Sequence, residues 1–331
     1  MDIQSGKYEK LFSQQSVWKA IFSMTIPSLL TIVIMIFYNM ADMFFIAQLG
    51  DTAKVAAVSI VSPVFSIIMA LATMIGVGGS AIIAGAFGAG DTEKARNISS
   101  LCFYSAAAIG AAATVLLFVF QTPLLNVLGT KPEMQEDSRT YLLILSCGKI
   151  FMLISSAMGM LLRAEGAVKE GMYGNLTGTV TNIILDPLFI LVFGWGVAGA
   201  AAATVIGNLV SASYYIMFVK RRAVVLSLKP ACALAEPGQI FPVMALGLPN
   251  AASTILSGFA STFANGLLAL HGTDAIAAAA AAGKASMLIS MVQMGICIVD
   301  ADITEIQRIL QNPQAAGSVR TVSQIVGYVV V

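Results

Sequence analysis

The sequence predicts an all-α polytopic membrane protein. Hydrophobic residues make up 58% of the chain and charged residues only 11%, and the mean hydropathy is +0.86. A water-soluble globule of 331 residues needs far more polar side chains to cover its surface. The apolar residues are gathered in stretches of about twenty or more, which is the length that crosses a bilayer as a helix. The lipid bilayer is therefore the first partner that the sequence predicts.

Eight such stretches follow one another along the chain. They divide it into a predicted N-terminal segment at 1–16, a lobe of six spans at 17–219, a linker at 220–240, two further spans at 241–299 and a polar tail at 300–331. The eight predicted spans are Val17–Gly50, Val55–Gly90, Ile98–Phe120, Tyr141–Leu162, Met172–Phe193, Ala198–Val219, Val243–Leu270 and Ala275–Val299.

The distribution of lysine and arginine predicts the orientation. Eleven of these residues lie in the N-terminal segment and in the connections on its side of the membrane, and three lie in the alternate connections. Positively charged connections stay in the cytoplasm. The N-terminus and the linker at 220–240 are therefore predicted to be cytoplasmic.

Several classes of function are excluded by what the chain lacks. Its four cysteines are scattered without C-x-x-C spacing, and His271 is the only histidine, so no resident metal site is predicted. There is no H-E-x-x-H or G-x-S-x-G motif, which argues against an enzyme. No basic cluster with interleaved aromatic residues suggests a nucleic-acid partner. The glycines at Gly76–Gly79 follow no predicted strand, so we interpret them as helix-packing positions rather than a nucleotide loop.

An aspartate inside the fifth span is the strongest candidate functional residue. A carboxylate there costs about 2.5–3.5 kcal/mol on insertion scales, so it needs a partner or a watery cavity. Asn182 lies four residues before Asp186, and side chains four apart share one helical face. Pro187 follows directly and should bend the helix and free the carbonyl of Ile183. The alternative is a buried polar pair that only joins two helices.

Further polar residues occur in the first, fourth and sixth spans. Asp42 lies beyond the helix-bending Pro27, where it either moves with a kinked helix or is hydrated at the outer surface. Thr204 either reaches the fifth span or bonds its own preceding turn. Lys149 either pairs with a carboxylate or extends to an interface. The candidate substrate-cavity residues are Tyr38, Asn39, Met40, Lys149 and Asn208.

This set of residues is suited to a monovalent cation. Burial raises the pKa of a carboxyl group and makes it a usable proton carrier. A carboxylate with hydroxyl, amide and free carbonyl oxygens is also what a sodium ion requires. No cofactor is predicted beyond a coupling proton or sodium ion, and any sodium would bind at Asp42 and Asp186.

A weak internal repeat links the first and seventh spans. At a constant offset of 222 residues, Pro27 matches Pro249, Gly50 matches Gly272 and Met69 matches Met291. Internal repeats with broken helices are typical of secondary transporters. The repeat predicts that a second lobe begins near residue 241.

Four ordered motifs resemble the prokaryotic multidrug and toxic compound extrusion (MATE) transporters: YNMAD, LLRAEGAVK, NIILDP and GWGVAGAAAAT, within residues 15–299. The resemblance implies two six-helix lobes in the inner membrane that alternate between inward and outward openings. It implies export of organic cations or amphipathic drugs in exchange for protons or sodium. It also implies an ion-coupling pocket of Asp42, Asn182, Asp186 and Thr204, with Pro27 at the bend of the first helix.

The chain departs from this family pattern at its C-terminal end. The resemblance implies twelve spans, whereas eight are predicted, followed by a polar segment unlike the family. The expected architecture is a MATE-like N-lobe with the first two helices of a second lobe, apparently truncated, with self-association through the incomplete lobe. The alternatives are a transport-incompetent fragment, or a flippase for a lipid-linked precursor. The flippase predicts more basic cavity residues than Lys149 and Lys284 supply.

Overall fold

The computed structural model describes residues 52–128, 130 and 132–269, together with Leu30, Val33 and Ile34. Within these residues the only regular structure is helical, in agreement with the predicted class. The eighth predicted span, the polar tail and all of the first predicted span except Leu30, Val33 and Ile34 lie outside the described residues. The helices are α1 (Thr52–Gly88), α2 (Thr92–Val127), α3 (Pro132–Cys147), α4 (Lys149–Ala164), α5 (Val168–Pro187), α6 (Gly196–Arg222), α7 (Pro230–Ala235) and α8 (Ile240–Ala269).

Five helical segments of the described part are long and apolar enough to cross a membrane, and a bent pair of helices makes a sixth. They correspond to the second to seventh predicted spans. The bent pair is α3 and α4, whose axes turn by 53° at a break of one residue. That residue is Gly148, where an added Cβ would lie 2.5 Å from the Val205 side chain on α6. The bend therefore occurs where only glycine fits against the neighbouring helix.

Local sequence explains where several helices begin and end. The Asp91 carboxylate caps α2 by accepting a 2.9 Å hydrogen bond from the backbone N–H of Lys94. Gly90 and Gly166 take left-handed φ values of 78° and 84° in the turns after α1 and α4. Pro132 starts α3, where a missing N–H has no cost.

Helix α4 lies at the centre of the bundle and packs against α1, α2 and α6. Its side chains Leu153, Ala157, Met158 and Leu161 are fully buried. Close packing of this kind replaces the hydrophobic effect as the main source of stability inside a bilayer. The helix thus fixes the positions of the helices that carry the polar residues.

Glycines bring α5 and α6 together. An added Cβ at Gly174 would lie 2.1 Å from the Tyr215 ring, and one at Gly178 would lie 2.1 Å from the Ser211 hydroxyl. The two α6 hydroxyls also donate across the contact, Ser211 to the carbonyl of Gly174 at 2.6 Å and Tyr215 to that of Gly171 at 2.7 Å. The contact is therefore both close and polar.

Helices α1 and α8 meet backbone to backbone. An added Cβ at Gly78 would lie 1.8 Å from the carbonyl oxygen of Val243, and one at Gly247 would lie 1.9 Å from that of Met74. This pair forms the most extensive helix contact of the described part. It joins α8, which follows the strap, to the helices that precede the strap.

The linker between α6 and α8 is folded against the ends of the helices. Ser100 donates to the carbonyl of Ser227 at 2.8 Å, and Tyr104 donates to that of Leu228 at 3.1 Å. Val225 and Leu226 are buried. We call residues 223–239 the strap. Its backbone is held along much of its length.

A buried carboxyl and its helix partners

The Asp186 side chain is fully buried in the last turn of α5. Pro187 follows and ends the α-helix, and a π-helical turn spans Leu188–Val192. In that turn the N–H of Phe193 donates to the carbonyl of Leu188 at 2.9 Å, five residues back. The helix therefore changes its hydrogen-bonding pattern directly after the carboxyl, and π turns are frequent at functional sites.

Asn182 links this carboxyl to α6. Its amide nitrogen donates to Asp186 Oδ2 at 2.9 Å, while its oxygen accepts from the backbone N–H of Thr204 at 3.0 Å. The opposite amide orientation would leave a 3.4 Å contact from Nδ2 to the Thr204 hydroxyl and would turn the amide oxygen toward the carboxyl. The first orientation is correct for an ionised carboxylate, which only accepts hydrogen bonds.

A glycine pair allows this contact. An added Cβ at Gly207 would lie 2.8 Å from the carbonyl of Gly178 and 3.1 Å from Asn182 Cβ. Larger residues at either position would push α6 away from α5 and separate the amide from Thr204. The sequence signal for this approach is the small-residue run that precedes Thr204 on α6.

Thr204 and Asn208 also bond within their own helix. The Thr204 hydroxyl donates to the carbonyl of Ala200 at 3.0 Å, which is the local bond that the sequence left open for it. The Asn208 amide donates to the carbonyl of Thr204 at 2.9 Å. Asn208 is half-buried, and this bond keeps its amide along α6.

Lys149 is a second buried ionisable residue, 1% exposed, at the start of α4. Its Nζ lies 3.6 Å from the centroid of the Phe65 ring on α1 and 3.4 Å from the sulfur of Met152. The Phe65 ring meets Tyr141 edge-on at 6.0 Å. The ammonium is thus held by an aromatic ring and a thioether, and it lies in the packed interior instead of extending to an interface.

The structure brings together Asn182, Asp186 and Thr204 from the predicted pocket. The remaining predicted residues, Pro27, Tyr38, Asn39, Met40 and Asp42, lie outside the described residues. Within the described part no group of three His, Cys, Asp or Glu residues is placed to hold a metal ion.

Sequence reasoning did not assign a role to Glu165. Its side chain is 6% exposed and accepts hydrogen bonds from the backbone N–H groups of Val224 and Val225, the latter at 2.7 Å. Burial raises the pKa of the Glu165 carboxyl, and the strap N–H groups partly offset that rise. No local sequence signal could have found this contact, because the two N–H partners lie 59 and 60 residues further along the chain.

These features define a class of protein: a multi-pass α-helical membrane protein with a carboxyl group buried between two of its spans. Comparison with known proteins is consistent with that class. The MatE family model matches residues 27–188. Multidrug export protein MepA of Staphylococcus aureus is 28% identical over 286 residues, and MepA of Staphylococcus saprophyticus is 27% identical over 287 residues. Both alignments cover 86% of this chain and 63% of the relative.

Solved structures share the fold. A MOP superfamily transporter from Pyrococcus furiosus, described as having a binding pocket of reverse polarity, superposes with a TM-score of 0.83 at 26% identity, covering 96% of this chain and 70% of that one. An outward-facing multidrug resistance MATE transporter superposes with a TM-score of 0.81 at 26% identity, covering 97% and 72%.

The family-model match, the MepA relatives and the MATE structures together support a MATE family transporter. The resemblance deduced from its motifs is thereby confirmed. Members of this family are transporters, so the prediction that the chain is not an enzyme is confirmed as well. The chain spans 63% of the length of the curated relatives that it matches.

Proposed function

We propose that the chain is an ion-coupled exporter of organic cations and amphipathic drugs, working by alternating access in the inner membrane with its N-terminus in the cytoplasm. The observation that carries the proposal is the fully buried Asp186 carboxyl, bonded through Asn182 to the backbone of Thr204. Burying a carboxylate in a membrane costs free energy, and carboxylates found there usually line the path of an ion or substrate. The names of the MepA relatives support drugs as the substrates.

The geometry suggests how a coupling ion would act. A proton or sodium ion arriving at Asp186 neutralises the carboxylate, which changes what the Asn182 amide can donate to. Because the same amide accepts from the backbone of Thr204, ion binding on α5 is communicated to α6. The π turn after Pro187 gives α5 a place where its hydrogen bonds can shift at low cost.

The coupling energy is sufficient for export against a gradient. One elementary charge moving through about 100 mV releases roughly 2.3 kcal/mol. For an uncharged amphipathic substrate that amount supports an opposing gradient of about fiftyfold, since each 1.4 kcal/mol is a factor of ten. Exchange of one monovalent ion for one monovalent organic cation moves no net charge, so there the concentration gradient of the coupling ion drives export, with about 1.4 kcal/mol for each tenfold difference.

The test is efflux of a fluorescent organic cation from vesicles that contain the full chain. Efflux driven by an inward proton or sodium gradient is expected, and Asp186→Asn should reduce it to the protein-free level. Collapsing each gradient separately identifies the coupling ion. Glu136→Gln, an exposed acid on α3, is the matched control and should leave efflux unchanged.

The alternative is a chain that inserts but does not transport. It predicts no efflux in any gradient although the protein is folded in the vesicle membrane. Self-association through the second lobe is a further part of the proposal. Crosslinking in the membrane tests it, and a chain that stays monomeric at all densities would contradict it.

A further inference from the structure

The strap presents two different faces. Val225, Leu226 and Ala233 point inward, with exposures of 1%, 5% and 7%. Leu234 and Phe241, at the end of the strap and the start of α8, are 77% and 75% exposed. The segment is therefore apolar on its outer side as well as its inner side, although it lies between membrane spans.

The outward apolar side chains are held in place. Helix α7, which carries Leu234, packs against α2. The strap backbone before it is fixed by Ser100 and Tyr104 of α2, and by Glu165 after α4. The exposure of Leu234 is thus a property of the folded strap, and the boundary of a bilayer is a surrounding that would bury this side chain.

Cationic side chains surround the same surface. Arg96 donates to the carbonyl of Val224 at 3.5 Å, which brings α2 beside the start of the strap. Two acids near the strap are engaged, because Glu165 is buried and Glu236 accepts a 3.4 Å hydrogen bond from Asn97, while Glu93 in the first turn of α2 is exposed. The exposed cations on and beside the strap are Arg96, Lys220, Arg221, Arg222 and Lys229.

We propose that the strap is a binding surface for anionic phospholipids. Leu234 and Phe241 enter the boundary between headgroups and acyl chains, and the surrounding cations pair with lipid phosphates. Apolar side chains next to lysine and arginine are the combination that binds an anionic bilayer surface. The cations lie at the ends of α2 and α6, where the headgroups of a bilayer would be. This placement favours a lipid over a soluble protein as the partner. This role is independent of transport.

The test places a tryptophan at the surface. Leu234→Trp is made in a full chain whose two native tryptophans, Trp18 and Trp195, are replaced by phenylalanine, and the protein is reconstituted into vesicles of phosphatidylcholine and phosphatidylglycerol. Either lipid is brominated, at equal mole fraction. Quenching by brominated phosphatidylglycerol should exceed that by brominated phosphatidylcholine about twofold.

The charge requirement is tested by a second pair of variants. Arg221→Gln with Arg222→Gln should equalise quenching by the two lipids, while Arg139→Gln, which removes an exposed cation of α3 outside the strap, should not. Absence of quenching by both lipids would overturn the proposal, because the surface would then face water or protein. Equal quenching in the parent chain would overturn its anionic selectivity.

Discussion

At the scale of single residues, Lys149 and Asp186 show two ways of burying a charge. Asp186 has a directional partner, the Asn182 amide at 2.9 Å. The Lys149 ammonium has the Phe65 ring at 3.6 Å and the Met152 sulfur at 3.4 Å. Both attract a cation, but together they stabilise the ammonium less than full hydration would. The Asp186 carboxyl is therefore suited to binding a cation, whereas burial of the Lys149 ammonium destabilises the folded protein.

Replacing Lys149 by methionine should stabilise the protein. Methionine keeps the length and the contact with Phe65 but removes the desolvation cost of the ammonium, so the free energy of unfolding should rise by about 1–3 kcal/mol. Lys149→Arg keeps the charge and should show no gain. Chemical denaturation in detergent measures both. A loss of stability in the methionine variant would show that the ammonium is compensated by a negative group.

The residue contacts were partly predictable. The four-residue spacing of Asn182 and Asp186 was enough to predict their contact, because it follows from helix geometry alone. For Thr204 the sequence left two partners open, and the structure shows its hydroxyl bonded within α6 and its backbone bonded to Asn182. Phe65 could not be predicted as the partner of Lys149, since an apolar span does not reveal which ring faces inward.

At the scale of helices, the contact of α1 with α8 depends on the absence of side chains. Gly78→Ala would place a methyl group 1.8 Å from the Val243 carbonyl, so the helices must separate. We expect a loss of about 1–3 kcal/mol from overpacking. Gly85→Ala, on the same helix with nothing within 4 Å of the added methyl, should instead gain up to about 1 kcal/mol.

Thermal unfolding of the two alanine variants in detergent, followed by circular dichroism, distinguishes these effects. A parallel crosslinking experiment between cysteines at Leu71 and Ile255, which pack in the same α1–α8 contact, reports whether the helices remain together. Equal stabilisation by both alanines would mean that α1 and α8 do not touch in the membrane.

The elements were predicted well in number and less well in shape. The second to seventh predicted spans each have a helical counterpart, because long apolar runs are an unmistakable signal. The packing role predicted for Gly76–Gly79 agrees with contacts to Met160, Val243 and Cys102. The break at Gly148 was not predicted, since it depends on the contact with Val205 of a neighbouring helix, and for Pro187 the sequence predicted a bend but not a π turn.

At the scale of the whole molecule, Glu165 joins the end of α4 to the strap that leads to α8. Burial raises its pKa above the ordinary value of 4.5, so the folded protein binds the proton more tightly than the unfolded chain. The contribution of Glu165 to stability is therefore greatest at low pH and falls as the pH rises from 4.5 through the pKa of the folded state.

Glu165→Gln should remove this part of the pH dependence. The glutamine oxygen still accepts from the strap N–H groups, so the fold is kept, but no proton is exchanged in that range. Unfolding midpoints measured across mildly acidic to neutral pH should fall in the parent chain and flatten in the variant. Parallel pH profiles for the two proteins would contradict the assignment.

The anchored strap also restricts how far α8 can move from α1 during folding. If the strap were a free flexible chain, its root-mean-square end-to-end distance would be about 20 Å. Helix α8 would then have to search a volume of that radius before it met α1. With 223–236 anchored, the freedom left to the chain is confined to a few residues around the turn Pro237–Gln239. The effective concentration of α8 at α1 is therefore high. Most of the conformational entropy of the strap is lost when the strap is anchored, before the two helices touch.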